Sequence, residues 1–211
     1  MSHALAGTAY LEGTWLADWA RAEAGRLLAG ALPQRWAHSH GVARQAARVA
    51  HALPERDRPV LIAAAWLHDI GYAPAVAVTG FHQLDGACHL AARRVPPRVC
   101  ALVAHHSGAE AVAELVGLAD RLAEFPDERG PCRDALWYCD MTTGPDGSPV
   151  TFAERMRELR ARRGPGDVVV QALRRNGLER AAAVHRTEHR LLTARTAASE
   201  EAGDDRARQA G

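Results

Sequence analysis

Ala64-Ala65-Trp66-Leu67-His68-Asp69-Ile70-Gly71 closes an apolar run in which Val60, Leu61, Ile62, Ala65 and Trp66 recur at helical spacing. The stretch reads as the end of a buried helix, with Gly71 as a left-handed C-cap. A histidine and an aspartate side by side at such an end are costly unless something compensates them, and a metal ion would do so. A His-Asp pair alone recurs by chance in many proteins. The case therefore rests on the other histidines and on one late aspartate.

Working outward toward the N-terminus, Pro59 suits the first turn of this helix, and residues 54–59 form a charged linker before it. A helix is expected over residues 35–51, with Val42, Ala46, Val49 and Ala50 inward. Another is expected over residues 12–28, carrying Trp15, Leu16, Trp19, Leu27 and Leu28, and Leu32-Pro33 ends it. Residues 1–11 are expected to be loosely held.

Toward the C-terminus, residues 71–84 read as a loop and 85–94 as a helix. Pro96-Pro97 opens a helix ending at His105-His106, and residues 109–122 form the next. Residues 125–131 are a polar loop, 134–141 are helical, and 142–149 are rich in turns. Thr151 with Glu154 makes a capping box for a helix to residue 162. A last helix spans 167–192, interrupted near Asn176-Gly177. No alternating strand pattern of useful length and no repeat is present. The class is all-α: an N-terminal helix within residues 1–30 packing on a core of 31–145, a helical extension over 146–193, and a disordered tail over 194–211.

The chain of 211 residues is long enough for one helical domain with a sizeable core. A net charge of +1 argues neither for nucleic acid nor for an acidic tail. All 26 basic residues are arginines, so no lysine nucleophile or Schiff base is available. Cys88, Cys100, Cys132 and Cys139 form no C-x-x-C pair and read as reduced core cysteines. With neither a signal sequence nor a stretch approaching a membrane span, the expected location is the cytoplasm, and no membrane partner is indicated. The sequence does not fix the oligomeric state.

His38, Val42 and Ala46 share a helix face, which aligns His38 with the core, while His40 is rotated toward solvent. On that segment alone a hydrogen-bonded core histidine is the simpler reading. His82 precedes a helix and alone reads as a loop residue. His105 and His106 could simply favour a helix C-terminus through its dipole. Asp140, amid Trp137, Tyr138 and Cys139, is expected to be buried and to need a partner. Together these residues are more specific than apart, because imidazoles and carboxylates from several helices can converge on a divalent metal.

The order His38, His68-Asp69, His82, His105-His106, Asp140 resembles the HD-domain superfamily of metal-dependent phosphohydrolases. Arg35-x-x-His38-Ser39-x-x-Val42-Ala43, Phe81-His82-Gln83-Leu84-Asp85-Gly86-Ala87 and Asp140-Met141-Thr142 are similar to that family's segments, with Gln83 where proline is common. The resemblance covers about residues 30–145. It implies one metal held by His38, His68, Asp69 and Asp140, and a second by His82, His105 and His106 with Asp69 bridging. Asp69 and His68 would be catalytic. The ions would be two divalent transition metals such as Fe, Mn, Zn or Co, and the substrate a small phosphorylated molecule. The family's dinuclear hydrolases often carry lysine where this chain has Tyr72, so the phosphate-neutralising cation must be an arginine, Arg35 first and Arg93 or Arg94 second. Tyr72, Thr142 and Thr143 are the other expected substrate contacts. A mixed-valent diiron oxygenase and a non-catalytic regulatory protein are the alternatives on the same scaffold.

Overall fold

The computed structural model describes residues 14–209, with side chains for 15–200. Ten α-helices follow in order: α1 Thr14–Ala24, α2 Pro33–Val49, α3 Arg58–Leu67, α4 His82–Ala92, α5 Pro97–Ala104, α6 Ala109–Val116, α7 Ala119–Leu122, α8 Pro131–Met141, α9 Phe152–Arg163 and α10 Val168–Gln209. The described residues contain no strand, only one isolated bridge between Thr143 and Pro149. Among them no helix is long and apolar enough to cross a membrane. The four cysteines are free.

Helix α3 is the axis of the bundle. Its residues Leu61, Ala63, Ala64, Ala65 and Leu67 are wholly buried, and it packs against α1, α2, α5 and α8. Only its first turns are partly open, Arg58, Val60 and Ile62 among them, as an apolar helix at the centre of a bundle requires. It carries its C-terminal His68-Asp69 into the centre of the molecule. Helix α10 packs along α8 and α6. Met141, Met156, Leu159, Leu173 and Val184 form a second small core that joins the extension to the bundle.

Several boundaries differ from the expectation, each for a local reason. Gly71 is not a left-handed cap, since its φ is not positive. Its role is close approach: a Cβ there would stand 1.9 Å from the His82 carbonyl oxygen. Helix α4 begins at His82, because Asp85 draws in the preceding loop by accepting hydrogen bonds from the amides of Val78, Thr79 and Gly80. The helix expected over 109–122 breaks at Gly117, whose φ is +72°. Pro131 sits in the first turn of α8, which starts earlier than expected. The interruption at Asn176 is present (φ −115°), held by an Asn176 Nδ2 donation to the Gly108 carbonyl at 2.8 Å. The capping box of Thr151 and Glu154 is formed. The tail expected to be disordered from residue 194 continues α10 to Gln209, in keeping with its alanine, arginine and glutamate content. Residues 1–11 lie outside the described residues.

Candidate metal centre

Three histidines are oriented by backbone carbonyls. His38 Nδ1 faces the Gly144 oxygen at 2.9 Å, His68 Nδ1 the Ala65 oxygen at 2.8 Å, and His106 Nδ1 the Val103 oxygen at 2.7 Å. A carbonyl only accepts, so each Nδ1 carries a proton and each Nε2 is the end turned toward the cluster. For His38 this depends on the loop 143–148 lying close on α2. Gly41 permits it, because a Cβ there would stand 2.5 Å from the Gly147 oxygen.

The free ends converge on Asp69. His68 Nε2 lies 3.6 Å from Asp69 Oδ2, while His82 Nε2 and His106 Nε2 lie 3.5 Å and 3.9 Å from Asp69 Oδ1. His82 Nε2 and His106 Nε2 are 3.2 Å apart. The donor atoms of His38, His68 and Asp69 lie within 4.8 Å of one another, as do those of Asp69, His82 and His106. Asp69 is shared by both trios. His38 Nε2 also meets Asp140 Oδ1 at 2.9 Å, and Asp140 accepts a hydrogen bond from Ser107 Oγ and has Arg155 Nη2 at 3.8 Å.

This arrangement fits a cation. His68 is fully buried, yet its Nε2 has no hydrogen-bond partner. The Nε2 atoms of His68, His82 and His106 crowd the Asp69 carboxylate at 3.5–3.9 Å, too long for hydrogen bonds and spaced to take a cation between them. Burial, together with neighbouring His68, draws the His106 pKa down to about 4. Burial and the adjacent His106 push that of His82 well below its ordinary value. Both rings are therefore neutral at pH 7, the form that binds metal. Burial alone would raise the Asp69 and Asp140 carboxyls. His68 and Arg35 outweigh it at Asp69, and the His38 hydrogen bond outweighs it at Asp140, holding both well below the carboxylate range.

Arg35 Nη1 donates to Asp69 Oδ2 at 3.0 Å, and its guanidinium lies 4.1 Å over the Tyr72 ring. Tyr72 in turn stacks on His82 at 3.9 Å and 17°. The order Arg35, Tyr72, His82 forms one wall of a cleft of about 50 Å³ that reaches the cluster.

His38, His68, Asp69, His82, His106, Asp140, Arg35 and Tyr72 thus come together. His105 does not: its Nε2 faces the Phe125 carbonyl at 2.7 Å, and it lines a separate hollow of about 480 Å³ with Trp137. Adjacent residues at a helix end point in different directions, so only one of the pair can face the cluster. Thr142 and Thr143 also stay out of the cleft. Their hydroxyls donate to the Tyr138 and Cys139 carbonyls at 2.7 Å, closing the end of α8. Arg93 pairs with Glu23, far from the cleft. Ser107, with φ +49°, escaped the sequence reading although it follows His106 directly. Arg155, Arg163 and Arg180 escaped it too, because nothing in a charged surface pattern marks one arginine as buried.

The family model described as HD domain matches residues 35–124. That span holds all the histidines of the cluster and Asp69, while Asp140 and helices α9 and α10 lie beyond it. No curated protein and no solved structure matches the chain. An all-helical bundle that gathers its His-Asp pair and further histidines at the end of a buried central helix agrees with the match: residues 35–124 are an HD domain.

Proposed function

We propose that the protein is a cytoplasmic metal-dependent phosphohydrolase that cleaves a phosphate ester or anhydride of a small metabolite with water. The observation that carries this reading is the convergence of imidazole nitrogens on Asp69, one of them buried with no partner. Imidazole and carboxylate suit first-row divalent ions such as Mn, Fe, Co or Zn. His38, His68, Asp69 and Asp140 would hold one ion, and Asp69, His82 and His106 a second. Such ions, when bound, polarise a phosphoryl oxygen and bring the pKa of a water toward neutrality.

The chain supplies the rest. The carbonyls of Gly144, Ala65 and Val103 keep the Nδ1 protons in place, so the rings cannot turn over. His38 and Arg155 hold Asp140 ionised, and Ser107 donates to it and orients it. Arg35 fixes Asp69 with one nitrogen and retains further donors at the cleft for a phosphoryl oxygen. It stands in for the lysine that the family often places at the position of Tyr72.

The test is phosphate release from nucleotides, cyclic dinucleotides, dinucleoside polyphosphates and sugar phosphates by protein loaded with Mn²⁺ or Zn²⁺. Release above the metal-free protein is expected. Background hydrolysis throughout, with O₂ consumption by the iron form, would overturn the proposal in favour of a diiron oxygenase.

A further inference from the structure

The cleft beside the histidines is roofed by residues outside the HD domain. Arg155, Arg162 and Arg163 come from α9, and Arg180 from α10. With Arg35 they place five arginines around a cleft that has only two aspartates, Asp69 and Asp140. The depth of Arg155 and Arg180 makes this expensive. Arg180 is 2% exposed, and no carboxylate pairs with it among the described residues. Its partners are Asn176 Oδ1 at 2.7 Å and Met141 Sδ at 3.8 Å. Burial lowers its pKa only to about 10, which leaves it cationic at neutral pH. Arg155 is 4% exposed and shares Glu158 with Arg162, both at 2.6 Å. The Nε atoms of Arg155 and Arg163 are buried without a partner, although Arg163 Nη1 meets Asp167 at 3.3 Å and Arg155 Nη2 lies 3.8 Å from Asp140.

Buried guanidiniums with incomplete pairing destabilise a fold unless an anion completes them. Guanidinium forks match phosphoryl oxygens two at a time. The space beside the histidines and these arginines is about 50 Å³. Tyr72, His82 and Arg163 border it and also border a hollow of about 170 Å³ walled by Phe81, Val116 and Val168, where an uncharged remainder can lie. We infer that the substrate carries at least two adjacent phosphoryl groups, one at the histidine cluster and the next held by Arg155, Arg163 and Arg180 of the C-terminal helices. This rests on the phosphohydrolase reading for the cleaved group only. The helical extension is then the element that selects diphosphates over monophosphates.

Calorimetric titration of the full-length metal-loaded protein with inorganic pyrophosphate and with orthophosphate tests it. Pyrophosphate should bind about tenfold tighter or better, and Arg163→Gln and Arg180→Gln should each remove about a factor of ten for pyrophosphate while changing orthophosphate far less. Metal content should be unchanged in both variants, which separates arginine binding from simple chelation. Arg163 lies nearer the rim, so its variant keeps the test valid should Arg180→Gln fail to fold. Equal affinities for the two anions, or variants that bind pyrophosphate as the wild type does, would overturn the inference. If monoesters are hydrolysed and the pyrophosphate preference is absent, the inference fails and the phosphohydrolase stands. If pyrophosphate binds through the arginines but no ester is cleaved, the reverse holds.

Discussion

At the scale of single residues, orientation decides function. His105 and His106 are neighbours, yet one faces the Phe125 carbonyl and the other faces Asp69. His106→Gln should therefore lower bound metal by about one equivalent, measured by elemental analysis after reconstitution, while His105→Gln should leave the content unchanged. Equal losses in both variants would show that His105 also binds. Arg35 works through two contacts at once, a hydrogen bond to Asp69 and a stack on Tyr72. A lysine can make the first but not the second. Arg35→Lys should thus reduce kcat/KM on the best phosphate ester by roughly 10–100-fold, with metal content retained. The sequence made most of the cluster legible because each ligand sits in a distinctive local context, such as His68-Asp69 after an apolar run. It could not separate His105 from His106, since the helical phase that ranks residues by face ends where they stand. Nor could it show that Thr142 and Thr143 spend their hydroxyl protons on the preceding turn.

At the scale of elements, glycines and a buried carboxylate hold the helices at their spacing. Gly71→Ala would drive a methyl into the His82 carbonyl, and the turn after α3 would have to part from the start of α4. The expected cost is about 2 kcal/mol or more, read as a lower thermal midpoint together with weaker metal retention. A midpoint within error of wild type would show that the two segments separate cheaply. Glu23 ties α1 to α4 through His89 and Arg93, and it pairs locally with Arg26. The Arg26 hydrogen bonds, against the opposing effect of burial, lower its pKa from 4.5 to about 2. A depressed carboxylate stabilises the fold above its unfolded value, and that contribution is lost as pH falls through the folded one. Glu23→Gln should accordingly cost about 1 kcal/mol at pH 7, modest because Arg26 is half exposed. The difference from wild type should fade between pH 4.5 and pH 2 in denaturant titrations. Helix identity was readable from apolar spacing in most segments. Boundaries were not, because they depend on contacts made at a distance, such as Asp85 gathering the loop before α4.

At the scale of the molecule, the HD core and its extension are joined by a shared small core and by Arg186, which reaches Asp134 of α8 at 2.7 Å. The distal part of α10 is different, since residues 195–200 are exposed. A chain ending at residue 193 should keep its thermal midpoint within about 2 °C and its activity, because the described side chains from 195 to 200 are exposed. A large drop in either would show that the distal helix is needed by the folded state. The sequence placed this segment in a disordered tail on composition alone, and its alanine content carries the helix onward instead. That the extension roofs the cleft was beyond a reading by motif, since its arginines lie outside every matched block.

The pairing of His38 with Asp140 spans 102 residues. During synthesis at roughly 5–20 residues per second, His38 leaves the ribosome on the order of 5–20 s before its partner exists. Asp69, His82 and His106 are all present once residue 106 has emerged, so the two halves of the cluster have different birth times. Closure of the bundle by α8 completes the second half, and until then the buried imidazole of His38 stands at an open edge. Nascent chains arrested between residues 110 and 135 should therefore be the most exposed to capture of a wrong metal.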